Sequence, residues 1–388
     1  MQSELEQRNN HSVCFVPYKR HMYDLIQFLS HTQNVHVIKD KKFEITQPVS
    51  FSAHSLIFFM FGVKKIAELF GKITLAPTYI LGLGKKLKSI NPEIVVVFDA
   101  YHFFMLQVLS FAKHRDTKVV CYSETRKHPR GILAKIVLRF SFFLVRKVDI
   151  ILVYTEEGKD YLCQYFPAEK IHVCPAPVRT QTFFPEHRRD YLEGGTLKVL
   201  VNARYDENKR HRDVFQALKN LGDEGMTNIE VTCIGRTNVG RTVVEETVAE
   251  YGLSGRVYFM EPTNSLDRLR QVYCQHDILV LSSEREAIGM VVPEAMACGT
   301  PTITSSGVGA NTYVKQGTTG YIFGVGRIEE LANCLKKMNE KNVLTAMGQN
   351  AHSRVVEKFS IDTIGRSMLA VLWPDGRYTS KNLDELSD

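Results

Sequence analysis

The residues best suited to chemistry lie in the stretch Ser282-Ser-Glu-Arg-Glu-Ala-Ile-Gly-Met-Val-Val-Pro-Glu-Ala-Met-Ala-Cys-Gly-Thr-Pro-Thr-Ile-Thr304. Glu286 falls in a loop with Gly289. Glu294 falls in the first turn of a helix that begins near Val292-Pro293, where proline suits the first helical position. Glycine lets backbone N–H groups approach a ligand closely. A helix N-terminus carries partial positive charge and free N–H donors, which favours phosphate. A carboxylate beside it can accept hydrogen bonds from sugar hydroxyls. Taken alone, a glutamate at Glu294's position is more often an acid that complements the helix dipole.

A second loop adds cations. After the strand Leu197–Asn202 comes Ala203-Arg-Tyr-Asp-Glu-Asn-Lys209, then a helix from about His211. Arg204 and Lys209 flank this turn, where two cations could grip a diphosphate; a solvated charged loop would read the same. A third loop, with Gly235, Arg236 and Gly240, follows the strand Ile229–Ile234. Its glycines fall short of a G-x-G-x-x-G fingerprint, so as a dinucleotide motif it is weak.

These loops need strands to carry them. Short β-branched runs recur at Ser12–Val16, Val35–Ile38, Ile94–Phe98, Lys118–Tyr122, Asp149–Tyr154 and Ile171–Cys174. They recur again at Leu197–Asn202, Ile229–Ile234, Arg256–Met260, Asp277–Ser282, Pro301–Thr304 and Tyr321–Phe323. Apolar strands alternating with amphipathic helices predict parallel sheets covered on both faces. The fold class is therefore α/β, with two doubly wound Rossmann-like domains. A chain of 388 residues suits two cores. Pro175, Pro177, Pro185, His187-Arg188-Arg189-Asp190 and Gly194-Gly195 read as a linker at about 175–196. This predicts an N-terminal domain over 1–185 and a C-terminal domain over 196–360. A helix and tail over 361–388 could pack back on the N-terminal domain. Open α/β sheets bind ligands at strand C-terminal ends, which would face each other across a cleft.

Composition narrows the function. The formal charge of +7 suits an anionic substrate or membrane face, but basic residues are spread along the chain, so no nucleic-acid partner is expected. The eight cysteines are scattered without C-x-x-C and read as small buried thiols, which together with a non-signal N-terminus points to a cytoplasmic protein. No apolar run reaches 18 residues, so no spanning helix is expected. Residues 51–63 and 132–145 come closest, either as helices on a membrane surface or, preferred here, as core-facing helices with a basic edge. Peripheral membrane contact would run through 51–70.

The Glu286/Glu294 pair, set in Glu-Ala-Ile-Gly-Met-Val-Val-Pro-Glu-Ala-Met-Ala-Cys-Gly-Thr-Pro, resembles the signature of family 4 retaining glycosyltransferases of the GT-B fold. Arg204 and Lys209 match that family's paired cations. Gly252-Leu-Ser-Gly-Arg-Val-Tyr-Phe-Met, Gly317-Thr-Thr-Gly-Tyr-Ile-Phe and Met347-Gly-Gln-Asn-Ala resemble further elements, so the likeness runs from 197 to about 372. The resemblance implies a nucleotide-sugar donor, UDP- or GDP-linked, in the C-terminal domain and a glycan or lipid-linked acceptor in the N-terminal one. It implies that Glu286 holds the sugar hydroxyls and Glu294 the donor ribose, that Ile288, Gly289 and Met290 touch sugar and phosphate, and that Gly235 and Arg236 line the donor site. It implies no cofactor and no metal, since the cations and helix dipole neutralise the leaving diphosphate, and no Asp-x-Asp pair is present.

The N-terminal half is similar to the family's acceptor domain with two departures. Val16-Pro-Tyr-Lys-Arg contains no glycine, and the family's histidine after the strand at 118–122 is replaced by about Glu124. Glu124, His128 and His102 stand as alternatives for the N-terminal catalytic partner. The leading expectation is front-face transfer of a hexose with retention; a sugar-nucleotide epimerase and an inactive nucleotide-sugar-binding scaffold are the alternatives.

Overall fold

A computed structural model of the protein describes residues 12–16, 22–31, 33–41, 51–60, 78–98, 104–124, 139, 142–143, 145–186, 190–236 and 240–375. The chain divides into two compact units, Met1–Pro177 with Ile361–Asp388, and Val178–Ser360.

The first unit runs β1 (Ser12–Val16), α1 (Tyr23–Ser30), β2 (Asn34–Asp40), β3 (Ser52–Met60), β4 (Thr78–Leu81), α2 (Leu83–Ile90), β5 (Ile94–Phe98), α3 (Phe104–Ala112), β6 (Lys118–Ser123), β7 (Ile150–Val153), α4 (Glu156–Leu162) and β8 (Ile171–Val173). The second runs β9 (Leu197–Asn202), α5 (His211–Asp223), β10 (Ile229–Ile234), α6 (Gly240–Glu250), β11 (Val257–Met260), α7 (Leu266–Cys274), β12 (Ile278–Leu281), α8 (Val291–Ala297), β13 (Thr302–Ser305), β14 (Gly320–Phe323), α9 (Ile328–Met338) and α10 (Lys341–Phe359). The last helix, α11 (Ile361–Leu372), belongs to the first unit.

The first sheet has the order β4-β3-β2-β1-β5-β6-β7-β8, parallel except where β4 pairs antiparallel with β3. The second has the order β11-β10-β9-β12-β13-β14, parallel throughout. The central apolar strands are enclosed on both faces, as continuous apolar runs require: every residue of β1, β5 and β12 is buried. In the first unit the rings of Phe15, Phe98, Tyr122 and Tyr154 stack in a buried row near the carboxyl ends of β1, β5, β6 and β7, with centroids 6.2, 5.5 and 4.5 Å apart.

The helical reading of 51–63 is corrected. Ser52–Met60 is a strand, paired with β2 on one side and β4 on the other. β-Branched and aromatic residues suit a pleated surface better than a helical one, and His54 stacks on His36 with Nδ1 of His36 and Nε2 of His54 3.1 Å apart. Residues 61–70 lie outside the described residues, as does most of 132–145. Among the described residues no helix is long and apolar enough to cross a membrane.

Two devices seat the elements that matter for the site. Asp277, just before β12, accepts hydrogen bonds from Lys198 N (2.7 Å) and Leu192 N (3.0 Å), so one carboxylate fixes β9 beside β12. Helix α8 is backed by α10, where His352 Nδ1 lies 2.7 Å from the Ala297 carbonyl.

Helix α11 packs on α1 in the first unit and buries Ile364, Met368, Leu369 and Leu372, and Trp373 Nε1 donates to Glu93 Oε1 at 3.0 Å. Gly365 makes the close approach possible, since a Cβ there would lie 2.3 Å from the Phe28 ring. Gly365→Ala is expected to lower the free energy of unfolding by about 1–3 kcal/mol through overpacking, read by denaturant titration. Adding Phe28→Leu should restore part of the loss; an unchanged midpoint in the single variant would show that α11 is not seated this way.

Candidate functional site

The strand order of the second unit puts its topological switch between β9 and β12, the position at which open α/β sheets take ligands. Loops leave the carboxyl ends of the adjacent strands β9, β12 and β13 there and are bonded to one another. Asn208 Nδ2 donates to the Arg285 carbonyl at 2.8 Å and Asn208 Oδ1 accepts from Arg285 N at 3.0 Å. Glu284 N donates to the Asn208 carbonyl at 2.7 Å, and Ser282 Oγ donates to the Lys209 carbonyl at 2.9 Å.

At the centre Lys209 Nζ bonds Glu286 Oε2, with 9% and 24% of the two side chains exposed. Ser283 Oγ donates to the same oxygen at 3.4 Å. The glutamate is fixed through its backbone as well. It forms a parallel bridge to Val308, donating from N to the Gly307 carbonyl (3.1 Å) and accepting from Gly309 N (2.8 Å). Only glycine permits this contact: a Cβ on Gly307 would lie 2.1 Å from the Glu284 carbonyl oxygen, and one on Gly309 1.9 Å from that of Ala287. Gly289 adopts φ +77°, and its carbonyl accepts from Val292 N at 3.0 Å as α8 begins.

Glu294 sits in the first turn of α8, half-buried, with its carboxyl enclosed. Tyr273 Oη donates to Oε2 at 2.9 Å. Burial pushes the Glu294 carboxyl up to about 7, against the lowering effect of the Tyr273 hydrogen bond and of the Arg179 charge. An acid that merely complements a helix dipole needs no hydrogen bond from a buried tyrosine on another helix.

The structure separates the other sequence-predicted residues. Arg204 is paired with Asp206 Oδ2 at 3.3 Å and is 67% exposed at its side chain, so the two cations are held by different acids. Ile288 and Met290 flank Gly289 in the half-buried segment between the glutamates. Gly235 is buried, and a Cβ there would lie 2.4 Å from the Ala203 carbonyl oxygen; Arg236 beside it is exposed. Glu124 follows β6 in the first unit, half-buried, while His128 and His102 lie outside the described residues. Among the described residues no group of three or more His, Cys, Asp or Glu side chains is placed to hold a metal ion. Sequence reasoning missed Asn208, Tyr273, Gly307 and Gly309. The paired glycines carried a usable signal, since Gly-Val-Gly follows a strand end; the other two have their meaning only in three dimensions.

Two family models match the chain: one described as Glycosyl transferases group 1 over residues 183–354, and one described as Glycosyltransferase Family 4 over residues 19–182. The chain is 26% identical over 179 residues to N-acetyl-alpha-D-glucosaminyl L-malate synthase of Bacillus anthracis, covering 46% of this chain and 45% of that protein. It is 36% identical over 110 residues to D-inositol 3-phosphate glycosyltransferase of Rhodococcus opacus, covering 28% of this chain and 24% of that one. The match thus spans less than half the length of these curated relatives. Among solved structures, sucrose-phosphate synthase of Thermosynechococcus elongatus aligns with a TM-score of 0.73 at 16% identity, over 95% of this chain and 100% of that one. HepE of Anabaena, in complex with UDP and glucose, aligns with a TM-score of 0.71 at 15% identity, over 94% and 99%. At such identities the structural likeness speaks for the fold.

Behind the Lys209 loop, His211 opens α5 with 3% of its surface exposed and neither ring nitrogen hydrogen-bonded. Burial, reinforced by the Lys209 charge and opposed by Asp206, pushes its pKa down to about 4. A histidine buried neutral favours the fold fully above its ordinary pKa of 6.5, and that advantage is lost as pH falls from there toward 4. His211→Leu is therefore expected to remove acid sensitivity on the order of 3 kcal/mol from the stability profile between these limits. Chemical denaturation across that range checks it, and parallel wild-type and variant profiles would refute it.

Proposed function

Because this chain belongs to family 4 of the glycosyltransferases, we propose that it moves a hexose-type sugar from a UDP- or GDP-linked donor to a hydroxyl of a glycan or lipid-linked acceptor, with retention of configuration. The observation that carries the reading is the convergence of Lys209, Glu286 and the Glu294-bearing helix at the β9/β12 switch. Glu286 and Glu294 suit different parts of one ligand. The first, a half-buried carboxylate held by lysine and serine, would accept from sugar hydroxyls; the second would accept from the ribose.

For transfer, the bond from the anomeric carbon to the diphosphate oxygen breaks as the acceptor oxygen forms its bond on the same face. The acceptor proton passes to the departing diphosphate. Charge then grows on that diphosphate, and Lys209, Arg204 and the amino end of α8 would stabilise it without a metal. Lys209 would exchange Glu286 for phosphate, and Arg204 would exchange Asp206. HepE has been solved with UDP-glucose and TarM with UDP, so uridine donors are the first to test.

A thermal-shift panel of nucleotide sugars should identify a donor that raises the melting temperature by mass action. With that donor, Lys209→Ala and Glu294→Ala should each lower transfer about a hundredfold or more while the protein remains folded, and EDTA should leave the wild-type rate unchanged. Full activity in either variant would remove the donor-site assignment. Conversion of the free nucleotide sugar without acceptor would instead indicate an epimerase.

A further inference from the structure

One buried side chain of the second unit touches the donor site without belonging to its loops. Tyr273, on α7, is 0% exposed, and its hydroxyl lies between Asn202 Nδ2, which donates to it at 3.3 Å, and Glu294 Oε2, to which it donates at 2.9 Å. Asn202 is the last residue of β9, so the chain of hydrogen bonds runs from the strand end at the switch, through α7, into the first turn of α8. The tyrosine itself is fixed. Its ring packs edge-on against Phe183 with centroids 5.9 Å apart, and its carbonyl accepts from Thr300 Oγ1 at 2.8 Å.

A phenol has one proton. With an amide N–H donating to the oxygen, that proton is free for the carboxyl, so the direction of the bond is set. We propose that Tyr273 is a positioning residue for donor recognition, holding Oε2 of Glu294 so that Oε1 is the oxygen presented to the ribose. The proposal rests on the donor reading above. Its second consequence is electrostatic. The Glu294 carboxyl is enclosed, and the groups that face it are Tyr273 from α7 and Arg179 from the segment before β9; Cys298 lies beside the tyrosine. Hydrogen bonding to the charged form favours that form. Without the hydroxyl the carboxyl stays protonated to higher pH and offers the ribose an O–H where an acceptor is needed.

Tyr273→Phe tests this, because it removes one oxygen and keeps the ring against Phe183. In the ligand-free protein, carboxyl-carbon NMR should find Glu294 titrating about one pH unit higher in the variant than in the wild type. A nucleotide-sugar diphosphate stays fully ionised across this range, so the pH profile of donor affinity reports on the protein. Wild-type affinity should be full well above pH 7, half of its maximum at about pH 7 and lost below it, because the carboxylate binds and the acid does not. The variant's profile should move up with its carboxyl, weakening donor affinity at pH 7 about fivefold and largely recovering by about pH 8.5, below the range in which the nucleobase itself ionises. In a Glu294→Gln background Tyr273→Phe should have no further effect on donor affinity. If Tyr273→Phe does not fold, Asn202→Ala should shift the profile in the same direction by less. An unmoved carboxyl titration, or an affinity loss equal at every pH, overturns the proposal. A shifted carboxyl in a protein that binds no nucleotide sugar at any pH overturns the donor reading instead.

Discussion

The candidate site depends on one steric constraint, the contact between the backbone of residues 284–287 and that of residues 307–309. Neither Gly307 nor Gly309 has room for a Cβ, and the bridge they permit gives Glu286 two backbone hydrogen bonds in what would otherwise be an irregular loop. A functional carboxylate on a loop is precise only if the loop behaves like a sheet edge. Here the loop after β12 is in effect an added strand of the loop after β13, and Asn208 ties the loop after β9 to it from the other side. Misplacing any of the three would displace the glutamate.

On that frame the two glutamates have opposite environments. Glu286 is bonded to Lys209, so its charge is compensated where it is partly removed from water. Glu294 is enclosed with a neutral phenol as its hydrogen-bond donor, and burial opposes its ionisation. The Lys209–Glu286 pair also carries a consequence for ligand binding. Removing one member leaves a poorly solvated charge behind, so a ligand that draws Lys209 away must itself satisfy Glu286, and a molecule bearing both phosphate and hydroxyls does both.

Much of the fold was legible in the sequence because fully buried parallel strands read as continuous β-branched runs. Leu197–Asn202 and Ile94–Phe98 were recognisable on that ground alone. The antiparallel pair of β3 and β4 was not. Ser52–Met60 mixes serine with aromatics at the sheet margin, where β4 is the terminal strand and the two-sided apolar signal fades. Within the candidate site, Glu286, Glu294, Lys209 and Gly289 were legible from the loops and the helix start that follow apolar strands, together with the family resemblance. Arg204 was legible as a cation but not as the partner of Asp206. Tyr273 looked like any core aromatic of an amphipathic helix, because a hydroxyl's partner across 21 residues of chain leaves no periodic trace.

Helix α11 gives the molecule a history as well as a shape. The first unit is discontinuous: its last helix follows the whole of the second unit in the chain. A ribosome delivering about 5–20 residues per second therefore releases the β9–β14 sheet for folding before the apolar face of α1 receives α11. For on the order of ten seconds the nascent first unit lacks the helix that Gly365 lets approach Phe28. Order of synthesis and order of assembly thus run in opposite senses for the two halves, and a chaperone meeting this chain during translation would find its unfinished surface near the beginning of the polypeptide.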